Sequence, residues 1–216
     1  ADLVVGYTTY VRLLEKQFPE LQYYATPMRK ETDRCRAAVE AALTGKTVAL
    51  VSSGDSGIYG MAGVLLEIAA EMQADVEVTA VAGVTAASAA AAVLGAPLMH
   101  DFAVISLSDC MTPLEQIYQR VALAAEADFV ICLYNPKSRS RTADLAEAAK
   151  LIQQHRKPET PVGIVRNAGR EGEQAWITTL EKLPEEPVDM FCVVLVGNSQ
   201  TYVQNGKMIT PRGYCV

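Results

Sequence analysis

The sequence predicts an α/β protein of two α/β domains with a ligand cleft between them. Three observations carry this. Short apolar runs suited to strands buried on both faces alternate with stretches of helical spacing. Polar turns bearing Gly, Ser, Asn and Asp follow those strands, at the end where open α/β sheets bind ligands. The pattern then breaks at Gly95-Ala-Pro97, which predicts an N-terminal domain over 1–100 and a C-terminal domain over 101–216. A chain of 216 residues has room for two such modest domains.

Taken in order, Asp2 to Tyr7 reads as a short buried strand, and Thr8 to Phe18 as a helix stopped by Pro19. A doubly wound domain usually has a βα unit ahead of such a strand, so the sequence reads as one whose first unit is missing. Tyr23 to Pro27 is an extended piece. Thr32 opens a helix through Leu43, with Gly45 as its stop. Thr47 to Val51 is a buried strand, Ser52 to Gly60 a glycine-rich turn, and Met61 to Met72 a helix. Val76-Glu-Val-Thr-Ala-Val81 is expected to be another strand. Ala86 to Val93 is a helix of almost wholly small residues, which predicts close packing on a sheet and a helix start near a flat ligand. In the second half, strands are expected at Phe102–Ser108, Asp128–Tyr134, Thr160–Arg166 and Met190–Val196. Helices are expected at Thr112–Glu126, with Pro113 in its first turn, and at Thr142–His155.

Half of the residues are apolar, enough for a sizeable core without staples. The net charge of −6 argues against a nucleic-acid surface, and no apolar run approaches a membrane span. The five cysteines, at 35, 110, 132, 192 and 215, show no CxxC pair and no metal-ligand spacing. Cys132 and Cys192 lie inside apolar runs and read as buried free thiols, which suits a reducing cytoplasm.

The turn Val51-Ser-Ser-Gly-Asp-Ser-Gly-Ile-Tyr-Gly60 organises the chemistry. Its glycines follow GxxGxxG, not the dinucleotide GxGxxG, and no Walker Lys-Ser/Thr follows them. No Lys or Arg stands between Lys46 and Arg120. Asp55 would repel a phosphate and welcome a ligand with positive charge and a ribose, as S-adenosylmethionine has. The structural alternative is that Asp55 caps the following helix.

The turns at Ser53–Asp55, Gly83–Thr85, Tyr134–Arg139, Asn167–Gly172 and Gly197–Ser199 all follow strands, and parallel strands would gather them at one edge of each sheet. Lys137, Arg139, Arg141, Arg166 and Arg170 concentrate positive charge in the later turns. In an acidic protein this suggests an anionic substrate; the alternative is ordinary solvated loop charge. Of the two histidines, His155 sits at a polar helix end, where a cation is favourable. His100 lies at the proposed hinge beside Asp101, which could tune it for proton transfer. Otherwise it hydrogen-bonds backbone to fix the linker.

Ser53-Gly-Asp55 with Gly60, then Gly83-Val-Thr-Ala86, then Tyr134-Asn135 resemble the ligand-binding segments of the tetrapyrrole methylases. Gly95-Ala-Pro-Leu-Met-His-Asp-Phe102, Ile105-Ser-Leu-Ser-Asp109, Tyr134-Asn-Pro-Lys-Ser-Arg139, Val162 to Glu171 and Thr210-Pro-Arg-Gly-Tyr214 resemble the branch that methylates carbon 17 of precorrin-3B. The resemblance spans essentially the whole chain, except that the family's opening strand and GxGPG loop are missing here. It implies a homodimer of two-domain subunits. Each would use S-adenosylmethionine to methylate carbon 17 of precorrin-3B, or its cobalt counterpart, with ring contraction in cobalamin biosynthesis. By matching motif it implies that Ser53, Gly54, Asp55 and Ile58 hold the methionine part and ribose. Thr85 and Ala86 would contact the cofactor from the next turn, and Tyr134 and Ala168 would line the adenine.

The sulfonium methyl is already activated, so the reaction needs alignment rather than a metal. Ring contraction needs proton transfer, for which His100, Asp101, Ser108 and Asp109 are candidates. Arg139, Arg166 and Arg170 are candidates for binding the substrate's carboxylates. The nearer alternative is a methylase acting on another ring carbon. The alternative from another class is a nucleotide-binding module or oxidoreductase, against which the missing GxGxxG counts.

Overall fold

The computed structural model describes residues 1–138 and 141–214. The chain forms two compact units, Ala1–Thr85 and Ala86–Val216. In the first unit, strand β1 (Leu3–Tyr7) lies between β2 (Tyr23–Thr26) and β3 (Val48–Val51), and all three run parallel. The apolar run of β1 buries Val4 and Val5. Helices α1 (Thr8–Glu15), α2 (Glu31–Leu43) and α3 (Ala62–Glu71) connect and follow these strands. Cys35 and Val39 of α2 pack with Ile68 and Ala69 of α3. α1 ends three residues before the expected Phe18, whose N–H closes a final turn on the Leu14 carbonyl.

Residues 75–81 do not form the expected strand. Their alternation is real, since Val76 and Val78 are half-buried while Glu77 and Thr79 are exposed. Instead of joining the outer edge of β3, however, the segment lines a cavity of about 460 Å³ together with Val48 to Ser52. A period of two reports which side chains turn inward; it does not report a pairing partner.

The second unit begins earlier than the break at Gly95 suggests. Helix α4 (Ala86–Leu94) buries Ala87, Ala90 and Leu94 on its sheet, and short β4 (Gly95–Ala96) pairs with β11 (Lys207–Ile209). The unit's remaining elements are β5 (Phe102–Ser106), α5 (Leu114–Glu126), β6 (Val130–Tyr134), α6 (Asp144–Gln153), β7 (Pro161–Arg166), β8 (Gln174–Thr179), β9 (Cys192–Val196) and β10 (Tyr202–Gln204). The main sheet runs β5-β6-β9-β7-β8. β5 and β6 are parallel, while β9 is antiparallel to both β6 and β7. β6 and β7 therefore point the same way, and β9 points back. β8 and the β10–β11 hairpin lie outside the strands expected from the apolar runs.

Alternation along the strands separates two cores. Ile131 and Leu133 face α5 and α6, whereas Cys132 faces α4, Val193 and Leu195. Burial pushes the Cys132 thiol up to about 12. The alanine helix does lie close on its sheet: a Cβ at Gly163 of β7 would overlap Leu94. Gly163→Ala is therefore expected to destabilise the protein by about 1–3 kcal/mol, as overpacking does. Urea denaturation checks this.

Among the described residues, no helix is long and apolar enough to cross a membrane, and no group of three or more His, Cys, Asp or Glu side chains could hold a metal.

Candidate functional site

The three parallel strands of the first unit end together at Tyr7, Thr26 and Val51. The glycine-rich loop leaves from the last of these. Gly54 (φ 76°) and Tyr59 (φ 53°) take the left-handed conformation that lets the loop turn tightly. The Ser52 hydroxyl accepts the Met61 N–H at 3.3 Å, and the Ser56 carbonyl accepts the Ala62 N–H at 2.9 Å.

Asp55 does not cap α3, which starts at Ala62 with no side-chain cap. Its carboxylate instead joins two segments. Oδ1 accepts the Gly57 N–H at 2.7 Å and Oδ2 accepts the Gly83 N–H at 2.9 Å. The Gly83 and Gly57 amides hold its carboxyl below the ordinary value, so Asp55 carries negative charge at neutral pH. The backbones meet so closely that a Cβ on Gly83 would overlap the Gly54 carbonyl oxygen. The Ser53–Asp55 and Gly83–Thr85 segments thus come together around one carboxylate. Ile58, Tyr59 and Val84 expose apolar side chains beside it.

In the second unit, β5, β6 and β7 end at a common edge at Ser106, Tyr134 and Arg166. The Tyr134 hydroxyl accepts the Ala87 N–H at 2.7 Å, in the first turn of α4. Ala86, Tyr134 and Ala168 flank the same core cluster, so the structure brings these three predicted residues together. The Ser106 hydroxyl accepts from the Asn135 side chain at 2.9 Å and from the Ser108 N–H at 3.2 Å.

Arg141, one of the loop cations that suggest an anionic substrate, is tied into this edge instead. It donates to the Leu107 carbonyl at 2.7 Å and the Asn135 carbonyl at 3.3 Å, and lies 3.4 Å from Asp109 and 3.7 Å from Asp144. Asp109 is therefore an ion-paired carboxylate. Arg166 is paired with Asp189 at 2.8 Å, and Arg170 lies on the loop that follows β7. Met190 and Phe191 expose apolar surface where β9 begins, opposite Arg166. Arg139 lies outside the described residues.

Two predicted groups fall elsewhere. Because β9 is antiparallel, Gly197–Ser199 turns at the opposite edge, where Ser199 donates to Asp128 through its N–H at 2.9 Å and its hydroxyl at 2.6 Å. His100 and Asp101 precede β5 and so also lie at that opposite edge, beyond Phe102, which is itself about 13 Å from Ser106 by the rise of the strand. His100 Nδ1 accepts the Asp101 N–H at 2.9 Å. His100→Ala is therefore expected to change turnover by no more than about threefold, against the roughly hundredfold loss typical of a lost general acid–base. Steady-state kinetics at saturating substrate checks this.

The sequence profile of the Tetrapyrrole (Corrin/Porphyrin) Methylases matches residues 1–184. The chain is 54% identical over 214 residues to a protein named as probable cobalt-factor III C(17)-methyltransferase from Salmonella typhimurium, covering 99% of this chain and 89% of that one. It is 39% identical over 217 residues to a precorrin-3B C(17)-methyltransferase from Sinorhizobium sp, covering 97% and 85%. Among solved structures, the methyltransferase CobJ superimposes with a TM-score of 0.91 at 36% identity, over 98% of this chain and 89% of that one.

Proposed function

Because the chain belongs to the tetrapyrrole methylases, we propose that it methylates carbon 17 of cobalt-factor III, or of its metal-free counterpart precorrin-3B. Ring contraction accompanies the transfer, as a step of cobalamin biosynthesis. The methyl donor is S-adenosylmethionine, whose sulfonium supplies an already activated methyl group. The observation that carries the cofactor reading is the ionised Asp55, held by the Gly57 and Gly83 amides with apolar Ile58 and Val84 exposed beside it. This donor set fits a cationic adenosyl ligand and does not fit a phosphate.

In this reading Ser53, Gly54, Asp55 and Ile58 hold the methionine part and ribose. Thr85 and Ala86 contact the cofactor from the next turn, and Tyr134 and Ala168 line the adenine. The Tyr134 hydroxyl, accepting from Ala87, fixes the ring for that task. The protein's share of catalysis is then orientation, which aligns the ring carbon with the methyl group. Ser108 and Asp109, which follow the end of β5, are the candidates for moving protons. Exposed Met190 and Phe191 suit a flat macrocycle, and Arg166, Arg170 and Arg139 its carboxylates. The enzyme works as a homodimer in the cytoplasm, in keeping with its family and with buried free Cys35, Cys132 and Cys192.

Calorimetry tests the cofactor reading. S-Adenosylmethionine and S-adenosylhomocysteine should bind and NAD should not; the reverse outcome contradicts the proposal.

A further inference from the structure

The role of Arg34 in the first unit rests on the cofactor reading above. In sequence Arg34 is one charge among several near the start of α2. In the fold it is 3% exposed. Its Nε donates to the Thr26 hydroxyl at 2.8 Å and its Nη2 to the Pro27 carbonyl at 3.1 Å. Nη1 reaches the Met61 sulfur at 3.7 Å, and the guanidinium carbon lies 5.9 Å from the centre of the Tyr7 ring. Tyr7 ends β1, Thr26 ends β2, and Met61 closes the loop that follows β3. One side chain thus touches the end of every strand connection at the edge that carries Asp55. The grip is reinforced on both sides. Thr8 donates to the Thr26 carbonyl at 3.0 Å, and the Met61 N–H donates to Ser52.

Each of these four partners is neutral. Nearby charges pair with each other, Lys30 with Asp33 and Arg36 with Glu71, and among the described residues no carboxylate pairs with Arg34. A buried charge without a counter-charge costs stability, and an apolar side chain of similar volume is often as good or better there. Folding alone therefore does not account for an arginine at this position.

We propose that Arg34 is the positioning residue of the cofactor loop, holding the segments after β1, β2 and β3 in the arrangement that binds the adenosyl ligand. It acts through Met61 and Thr26 rather than by touching the ligand. The test measures melting temperature, S-adenosylhomocysteine affinity and amide exchange in Arg34→Met and Arg34→Lys. Arg34→Met should melt no lower than the parent. It should bind about tenfold or more weakly, the scale on which small misplacements of binding groups are felt. The amides of Gly57, Ile58 and Met61 should exchange faster. Arg34→Lys, which keeps the charge but loses the planar fork, should lose affinity in the same direction. Affinity and loop exchange that match the parent in both variants overturn the proposal. So does a lower melting temperature with loop exchange unchanged. Should Arg34→Met not fold, Arg34→Lys decides by the same readouts. A parent protein that binds no S-adenosylhomocysteine refutes the cofactor reading instead, and loop exchange still decides the role of Arg34.

Discussion

Gly83→Ala is expected to weaken S-adenosylhomocysteine binding by about a hundredfold, the cost of displacing binding groups by an ångström or so. The new methyl group would overlap the Gly54 carbonyl oxygen and sit 2.9 Å from the Gly54 carbonyl carbon and 3.3 Å from the Asp55 Cα. All three are backbone atoms, so no side chain can swing away. Relief must come from parting the two segments, which also stretches the hydrogen bond that the Gly83 N–H donates to Asp55. Gly63→Ala is the control, because a Cβ there meets nothing within 4 Å and lies on α3 outside the loop. Calorimetry on both variants should give a large loss at 83 and parent-like affinity at 63.

The second large effect is expected at Arg141. Its side chain is 11% exposed and joins Leu107, Asp109, Asn135 and Asp144. Asp144 is 9% exposed, and its Oδ2 has no hydrogen-bond partner. Removing the arginine leaves that carboxylate buried without its cation. Arg141→Ala should therefore cost about 3 kcal/mol in urea denaturation, the scale of a broken buried pair. Adding Asp144→Asn should restore part of it. Turnover should be low in both the single and the double variant, since the loops at Leu107 and Asn135 are untied in each. Equal stabilities for Arg141→Ala with and without Asp144→Asn would mean that the pair is not the source of the loss.

The strands buried on both faces could be read from sequence because burial writes itself as a continuous apolar run, as in Val130 to Leu133. Direction could not. Nothing in Cys192–Val196 says that it runs against β6, and this reversal carries Gly197–Ser199 to the opposite edge. β8 was missed because Gln174-Ala-Trp-Ile-Thr-Thr179 is an edge strand whose apolar run is only Ala175 to Ile177. The β10–β11 hairpin did leave a signal. Asn205-Gly206, both at positive φ, is the dipeptide that tight hairpin turns favour. At the site, the glycine spacing and Asp55 marked the cofactor loop, but the tie to Gly83 depends on chain segments that only folding brings together. Neither the burial of Arg34 nor the ties that Arg141 makes could be read from sequence, for a plain reason. A charge in a helix or loop reads as solvated, and burial of such a side chain is a tertiary outcome.

Methyl transfer to carbon 17 is the activity on which everything above turns. The most direct measurement incubates the purified protein with methyl-labelled S-adenosylmethionine and either cobalt-factor III or precorrin-3B, and locates the label in the product by NMR. One labelled methyl on carbon 17 of a ring-contracted macrocycle is expected from at least one of the two substrates. Label on a different ring carbon, or none transferred to either substrate while the cofactor binds, would contradict it.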